Sequence, residues 1–246
     1  MAGLHRVAHR GYSAVAPENT LPALAAGVLA GATLIEFDVR TTADGVPVVI
    51  HDRTVDRTTD GTGHVAELTL DEIAALDAGS WFSPAYAGTR IPLLREVIDL
   101  LRAPGPELLL EIKPPATLEQ VKVIIGQVIE AGLLERTVVQ SFDPAVVRLA
   151  GEVAPEVRLG LLRHGFDDEQ ERVARELGIS YVNPDLRAVL AEPATVAALA
   201  GSGVGVMPWT PNDPSVWEPL VAAGVAGLIN DRTGELTGWT IARGLA

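Results

Sequence analysis

The chain reads as an α/β protein folded into a (β/α)8 barrel, and three observations point there. Short apolar runs alternate with longer amphipathic or alanine-rich stretches along most of the 246 residues. Eight such runs fit this length, which suits one large α/β domain. Polar residues of catalytic type gather at the ends of several runs, where barrel enzymes build their active sites.

The strand-like runs are residues 6–9, 34–39, 108–112, 137–141, 158–162, 181–183, 205–208 and 227–230. Helical stretches at 21–30, 118–131, 144–153, 168–177, 194–200 and 214–223 lie between them. Thr117, Asp143 and Asp213 are placed to cap helix starts, and Gly31, Gly132, Gly178 and Gly224 to end helices. A doubly wound sheet is the alternative, but no G-x-G-x-x-G follows the first run, and Gly201-Ser-Gly203-Val-Gly205 precedes a run instead. Residues 53–90 break the alternation. They carry Thr58-Thr-Asp-Gly-Thr-Gly63, a short acidic helix candidate at 70–76 and the aromatics Trp81, Phe82 and Tyr86. This stretch is expected to be a small insertion after the second barrel strand within a single 1–246 domain. Its aromatics form either its own small core or a wall suited to a cationic headgroup.

Composition narrows the function. With 48% hydrophobic residues the chain can bury a large core. It has no cysteine, so disulfides and thiolate chemistry are excluded. A formal charge of −13 disfavours nucleic acid as a partner, yet leaves a small anion possible where local cations outweigh the average. His5, Arg6, His9 and Arg10 interrupt the start where a secretion signal would be apolar. No run reaches the ~20 apolar residues that cross a bilayer. A cytoplasmic protein is expected.

The chemistry-bearing residues fall into sets. Glu36 and Asp38 are two apart in a strand, so both face one side while Ile35, Phe37 and Val39 face the helices. Glu111 and Lys113 repeat that spacing on the next barrel strand. Three carboxylates at adjacent strand ends suit a hard divalent cation, Mg²⁺ or Ca²⁺, though salt bridges with Arg40 and Lys113 would also satisfy them. His9 and His51 end runs on either side of the Glu36/Asp38 strand, as an acid/base pair would. Arg10 and Lys113 are candidates for an anionic oxygen. Glu18 and Asn19 precede the first helix, where Asn19 either caps it or reaches the site. Trp209 ends a run and could wall a pocket. His5, His64 and His164 are read as structural.

His9-Arg10-Gly11, Pro17-Glu18-Asn19-Thr20, Glu36-Phe37-Asp38-Val39, Asp44-Gly45 and His51-Asp52 together resemble the glycerophosphodiester phosphodiesterase family. Glu111-Ile112-Lys113, Gln140-Ser141-Phe142, Trp209-Thr210-Pro211-Asn212 and Asn230-Asp231-Arg232 extend the likeness to nearly the whole chain. The resemblance implies a TIM barrel with a small insertion and a divalent cation. It implies hydrolysis of glycerophosphodiesters, such as glycerophosphocholine or glycerophosphoethanolamine, to glycerol 3-phosphate and an alcohol. Position by position it implies His9 and His51 as acid and base, Glu36, Asp38 and Glu111 as metal ligands, and Arg10 and Lys113 on the phosphate. Asn230, where Thr is commoner, and Pro211, where an aliphatic residue is commoner, depart from the pattern. Related sphingomyelinase D-type barrels keep a lysophospholipase D-like activity as the alternative, with an inactive phosphodiester-binding protein as the other.

Overall fold

The computed structural model describes residues 3–246, and the side chains of these apart from 168–171. β1 (His5–Ala8) is followed by α1 (Leu21–Leu29), β2 (Leu34–Thr41) and β3 (Pro47–Val49). After α2 (Leu70–Ala74) and α3 (Leu94–Leu101) come β4 (Glu107–Ile112), α4 (Leu118–Glu130), β5 (Thr137–Ser141), α5 (Pro144–Val153) and β6 (Arg158–Arg163). The remainder is α6 (Asp168–Leu177), β7 (Tyr181–Pro184), α7 (Leu186–Ala191), α8 (Pro193–Gly201), β8 (Gly205–Val206), α9 (Trp217–Ala222), β9 (Gly227–Asn230) and α10 (Thr233–Ala242).

Local chemistry accounts for the helix ends. The Thr117 hydroxyl accepts from the Gln120 backbone N–H while the Gln120 side chain accepts from the Thr117 N–H, a reciprocal cap on α4. Asp143 accepts from the Ala145 N–H at 2.8 Å, with Pro144 opening α5. Asp213 caps the short 3₁₀ turn that leads into α9. Thr20, which has no capping hydrogen bond from its side chain, precedes α1, so Asn19 is not that helix's cap.

Eight parallel strands run in the order β8-β7-β6-β5-β4-β2-β1-β9 among the described residues. The ring closes where the Ala226 N–H donates to the Val206 carbonyl (2.8 Å) and the Ile229 N–H to that of Pro208 (3.0 Å). This is the expected nearly closed barrel. Its interior is filled by Val7, Leu34, Leu109, Val138, Met207 and Ile229, one inward residue from each of several strands. Ile35, Phe37 and Val39 point outward, into the larger layer shared with the helices.

β3 is no barrel strand. It pairs antiparallel with β2, Val39 opposite Val49, and folds back over the carboxyl end of the barrel. The segment beyond it packs Val48, Ile50, Val55, Val65, Ile73, Ala78 and Ile91 into a separate aliphatic cluster. Trp81, Phe82 and Tyr86 are outside that cluster. They form an edge-to-face row, rings 5.7 Å apart, with Trp81 41% exposed and the Tyr86 hydroxyl donating to the Val15 carbonyl. Aliphatic side chains make the core because they fill a space this small without a polar group needing a partner. No described helix is long and apolar enough to cross a membrane.

Candidate active site

At the carboxyl ends of the strands lies a cavity of about 380 Å³, lined by His9, Arg10, Glu36, His51, Glu111, Lys113, Gln140, Phe142, Leu162, His164, Trp209, Thr210 and Ile229. The strand register assembles its floor. Glu36 and Asp38 share the inward face of β2, and Asp38 sits directly opposite Glu111 on β4. Gln140 of β5 is next around the ring, opposite Glu111, and accepts a hydrogen bond from the Asn183 side chain of β7 at 2.7 Å.

Glu36, Asp38 and Glu111 are all at least 95% buried, and ligand oxygens from the three lie within 4.8 Å of one another. Burial and mutual repulsion hold the Glu36 carboxyl well above the usual carboxylate range, and Glu111 is pushed up to about 7 for the same reasons. Asp38 goes the other way despite its burial, because Lys113 and Arg10 sit beside it. The Lys113 ammonium lies 3.0 Å from Asp38 and 2.7 Å from Glu111. Three buried carboxylates against two cationic side chains leave hard oxygen donors only partly neutralised, which fits a divalent cation.

The backbone of Arg10 is bent to serve this cluster. With φ at 56° it occupies the left-handed region, followed by Gly11 at 81°, and its N–H thereby reaches Glu36 at 2.9 Å. Its guanidinium reaches Glu18 through Nη1 at 2.8 Å and Asp38 through Nε at 3.4 Å, and the side chain lines the cavity. Asn19, also left-handed and 3% exposed, donates to Asp38 at 2.7 Å and accepts from the Asp38 N–H. Glu18 bridges Arg10 and Arg57. Neither Glu18 nor Asn19 lines the cavity: both stand behind it, holding groups that do.

Each histidine comes with a carboxylate. His9 Nδ1 lies 2.6 Å from Asp231, and His51 Nδ1 lies 2.6 Å from Asp52. These short contacts assign the hydrogen to Nδ1 and leave Nε2 free for the cavity. Asp231 also takes Ser13 and the Asn212 side chain, and Asp52 takes Arg57 at 2.6 Å. Burial, together with the nearby Arg10 and Lys113 charges, lowers the His51 pKa, against the pull of Asp38 and Asp52. The sequence motifs contain both carboxylates, Asp52 and Asp231, but assign neither a role. In a closed barrel β9 must flank β1, and that would have placed Asp231 beside His9.

The opposite wall is aromatic. Phe142, His164 and Trp209 touch one another, with ring centroids 5.2–5.8 Å apart. His164 therefore does not have the purely structural setting expected of it: it follows β6 directly and reaches the cavity. The same strand-end rule that found Trp209 would have found it. The two unusual residues of the sequence meet behind this wall, where the Asn230 side chain donates to the Pro211 carbonyl.

A family model for the "Glycerophosphoryl diester phosphodiesterase family" matches residues 9–235. The chain belongs to that family. A glycerophosphodiester phosphodiesterase from Caldanaerobacter subterraneus is 37% identical over 92% of this chain and 93% of its own. A phosphodiesterase of Oleispira antarctica, solved in complex with the product sn-glycerol-3-phosphate, superposes with a TM-score of 0.87 at 28% identity, covering 96% of each chain. A glycerophosphodiester phosphodiesterase from Agrobacterium tumefaciens reaches a TM-score of 0.83, at 30% identity over 97% of this chain and 100% of that one. The expected fold and the expected class, a phosphodiesterase of the glycerophosphodiester family, both stand.

Proposed function

We propose that the chain hydrolyses glycerophosphodiesters, such as glycerophosphocholine or glycerophosphoethanolamine, to glycerol 3-phosphate and an alcohol with a divalent cation. One observation carries this reading: two histidine–carboxylate pairs flank a buried Glu36–Asp38–Glu111 cluster at a single cavity. Glu36, Asp38 and Glu111 would hold the cation, Mg²⁺ or Ca²⁺. When bound, it supplies positive charge against the phosphoryl group. Arg10 and Lys113, both on the cavity wall, bind the same group's oxygens and stabilise the charge that builds on them.

One histidine removes the proton from the glycerol hydroxyl adjacent to the ester, and that oxygen attacks phosphorus to form a cyclic phosphate. The other histidine, protonated, gives its proton to the departing alcohol oxygen as the P–O bond breaks. Their roles then reverse, and a water activated by a histidine opens the ring. Asp231 and Asp52 keep Nδ1 protonated and the rings aimed throughout. The aromatic wall receives the carbon skeleton of one arm of the diester and keeps water from it.

The decisive assay is glycerophosphocholine hydrolysis after chelation, with Mg²⁺ and Ca²⁺ restored separately. Activity lost to chelator and regained with one of them is expected; inactivity under every metal sinks the proposal. His9→Ala and His51→Ala should each lower kcat by at least ~10², and near-normal turnover by both would remove the acid/base assignment. A diester lacking the adjacent hydroxyl should resist hydrolysis, whereas unchanged turnover would point to direct attack by water.

A further inference from the structure

Two arginines lie beside the catalytic cavity in a chain with 32 acidic and 19 basic residues. Among the described residues, neither Arg40 nor Arg53 has a carboxylate within ion-pair distance, although Asp38, Glu111 and Asp52 act on Arg40 from further off. Arg40 uses one nitrogen, Nε, to hold the His51 carbonyl at 2.8 Å, and Arg53 is exposed. Both line a cavity of about 320 Å³ together with His51, Asp52, Glu111, Lys113, Pro114 and Phe142. That cavity shares His51, Glu111, Lys113 and Phe142 with the catalytic one, so the two adjoin. Its own carboxylates are committed: Asp52 to His51 and Arg57, Glu111 to Lys113. A third cavity, of about 270 Å³, also has Arg40 and Arg53 on its wall, together with His64 and the exposed Glu67.

We infer that Arg40 and Arg53 form a second anion subsite, which selects diesters whose departing alcohol carries a carboxylate or phosphomonoester. A phosphodiester has two arms. One lies against the packed rings of Phe142, His164 and Trp209, which touch each other and so make a wall rather than a cage around a cation. The other arm leaves past Lys113 into the arginine-lined groove. There, two guanidiniums without a direct protein ion pair gain one from the substrate. Glu67, which lines the cavity that shares both arginines, repels a negative group carried past them, so the subsite favours a short charged alcohol.

The inference rests on the phosphodiesterase reading above, and one matched pair of substrates separates the two. Glycerophosphoglycerate and glycerophosphoglycerol differ by a carboxylate in place of a neutral hydroxymethyl group. The native protein should prefer the former by about tenfold in kcat/KM, and the preference should shrink as salt rises to ~1 M. Arg53→Gln should remove most of that preference through KM, with glycerophosphoglycerol turnover within about twofold of native, and Arg53→Glu should invert it. Equal turnover of both diesters by the native protein, or a preference untouched by Arg53→Glu, overturns the subsite while leaving the activity intact. Failure to cleave either one overturns both.

Discussion

Asp231 and Asp52 turn two ordinary histidines into directed ones, and each does it through a single contact of 2.6 Å. Replacing Asp231 by Asn preserves size but removes the charge that keeps the His9 hydrogen on Nδ1. We expect Asp231→Asn to lower kcat by about 10²-fold with KM within a few-fold; native kcat would remove Asp231 from the positioning of His9. The two carboxylates differ in how readable they are. Asp52 adjoins His51 in the chain, whereas Asp231 is 222 residues from His9, and no local pattern connects them. Asn19 shows the reverse limit. Its position before α1 allows either a cap or a place at the site, and its side chain serves Asp38 because a buried carboxylate needs donors.

Strand register explains why the acidic cluster exists at all. The i, i+2 spacing of Glu36 and Asp38 follows from the two-residue period of β2, and the pairing with β4 puts Glu111 opposite Asp38. The spacing could be read from the sequence; the register depends on long-range pairing. The turn after β1 is equally demanding. A side chain on Gly11 would place its Cβ 2.4 Å from the Ala23 carbonyl carbon at a φ of 81°. Gly11→Ala should therefore cost roughly 3 kcal/mol from strain and overpacking, read as a lower urea midpoint. A native midpoint would show that the turn against α1 yields freely. In the insertion, the sequence drew attention to the aromatics, yet aliphatic residues form the core. Ile73→Ala should cost about 2–4 kcal/mol there, measured in the same way.

Across the molecule, the acidic cluster couples cation binding to pH. Glu111, pushed up to about 7, and Glu36, raised as well, keep protons in the folded state that the unfolded chain has already lost. The cation-free protein is thus destabilised as pH rises from about 4.5 towards 7, because the folded state binds more protons than the unfolded one. Asp38, held low by Lys113 and Arg10, contributes oppositely and only in more acidic solution. Cation binding needs all three carboxylates ionised, so affinity should rise with pH over that window and protons should be released. Calorimetry in buffers of different ionisation enthalpy reads the release, and Glu111→Gln should reduce it; zero release at pH 6 in the native protein would contradict the cluster as the cation's seat. What the sequence determined by itself was the barrel, the strand-end positions of His9, His51, Glu36, Asp38, Glu111 and Lys113, and the family, because periodicity and short motifs are local properties of the chain. Only the tertiary structure decided which groups face each other: Asp231 on His9, Asn19 on Asp38, Phe142 and His164 on Trp209, Arg40 beside Arg53. Asp231 reaches His9 because β9 closes against β1, and Arg53 comes beside Arg40 because β3 folds back over β2; ring closure and strand return join residues that no sequence period links.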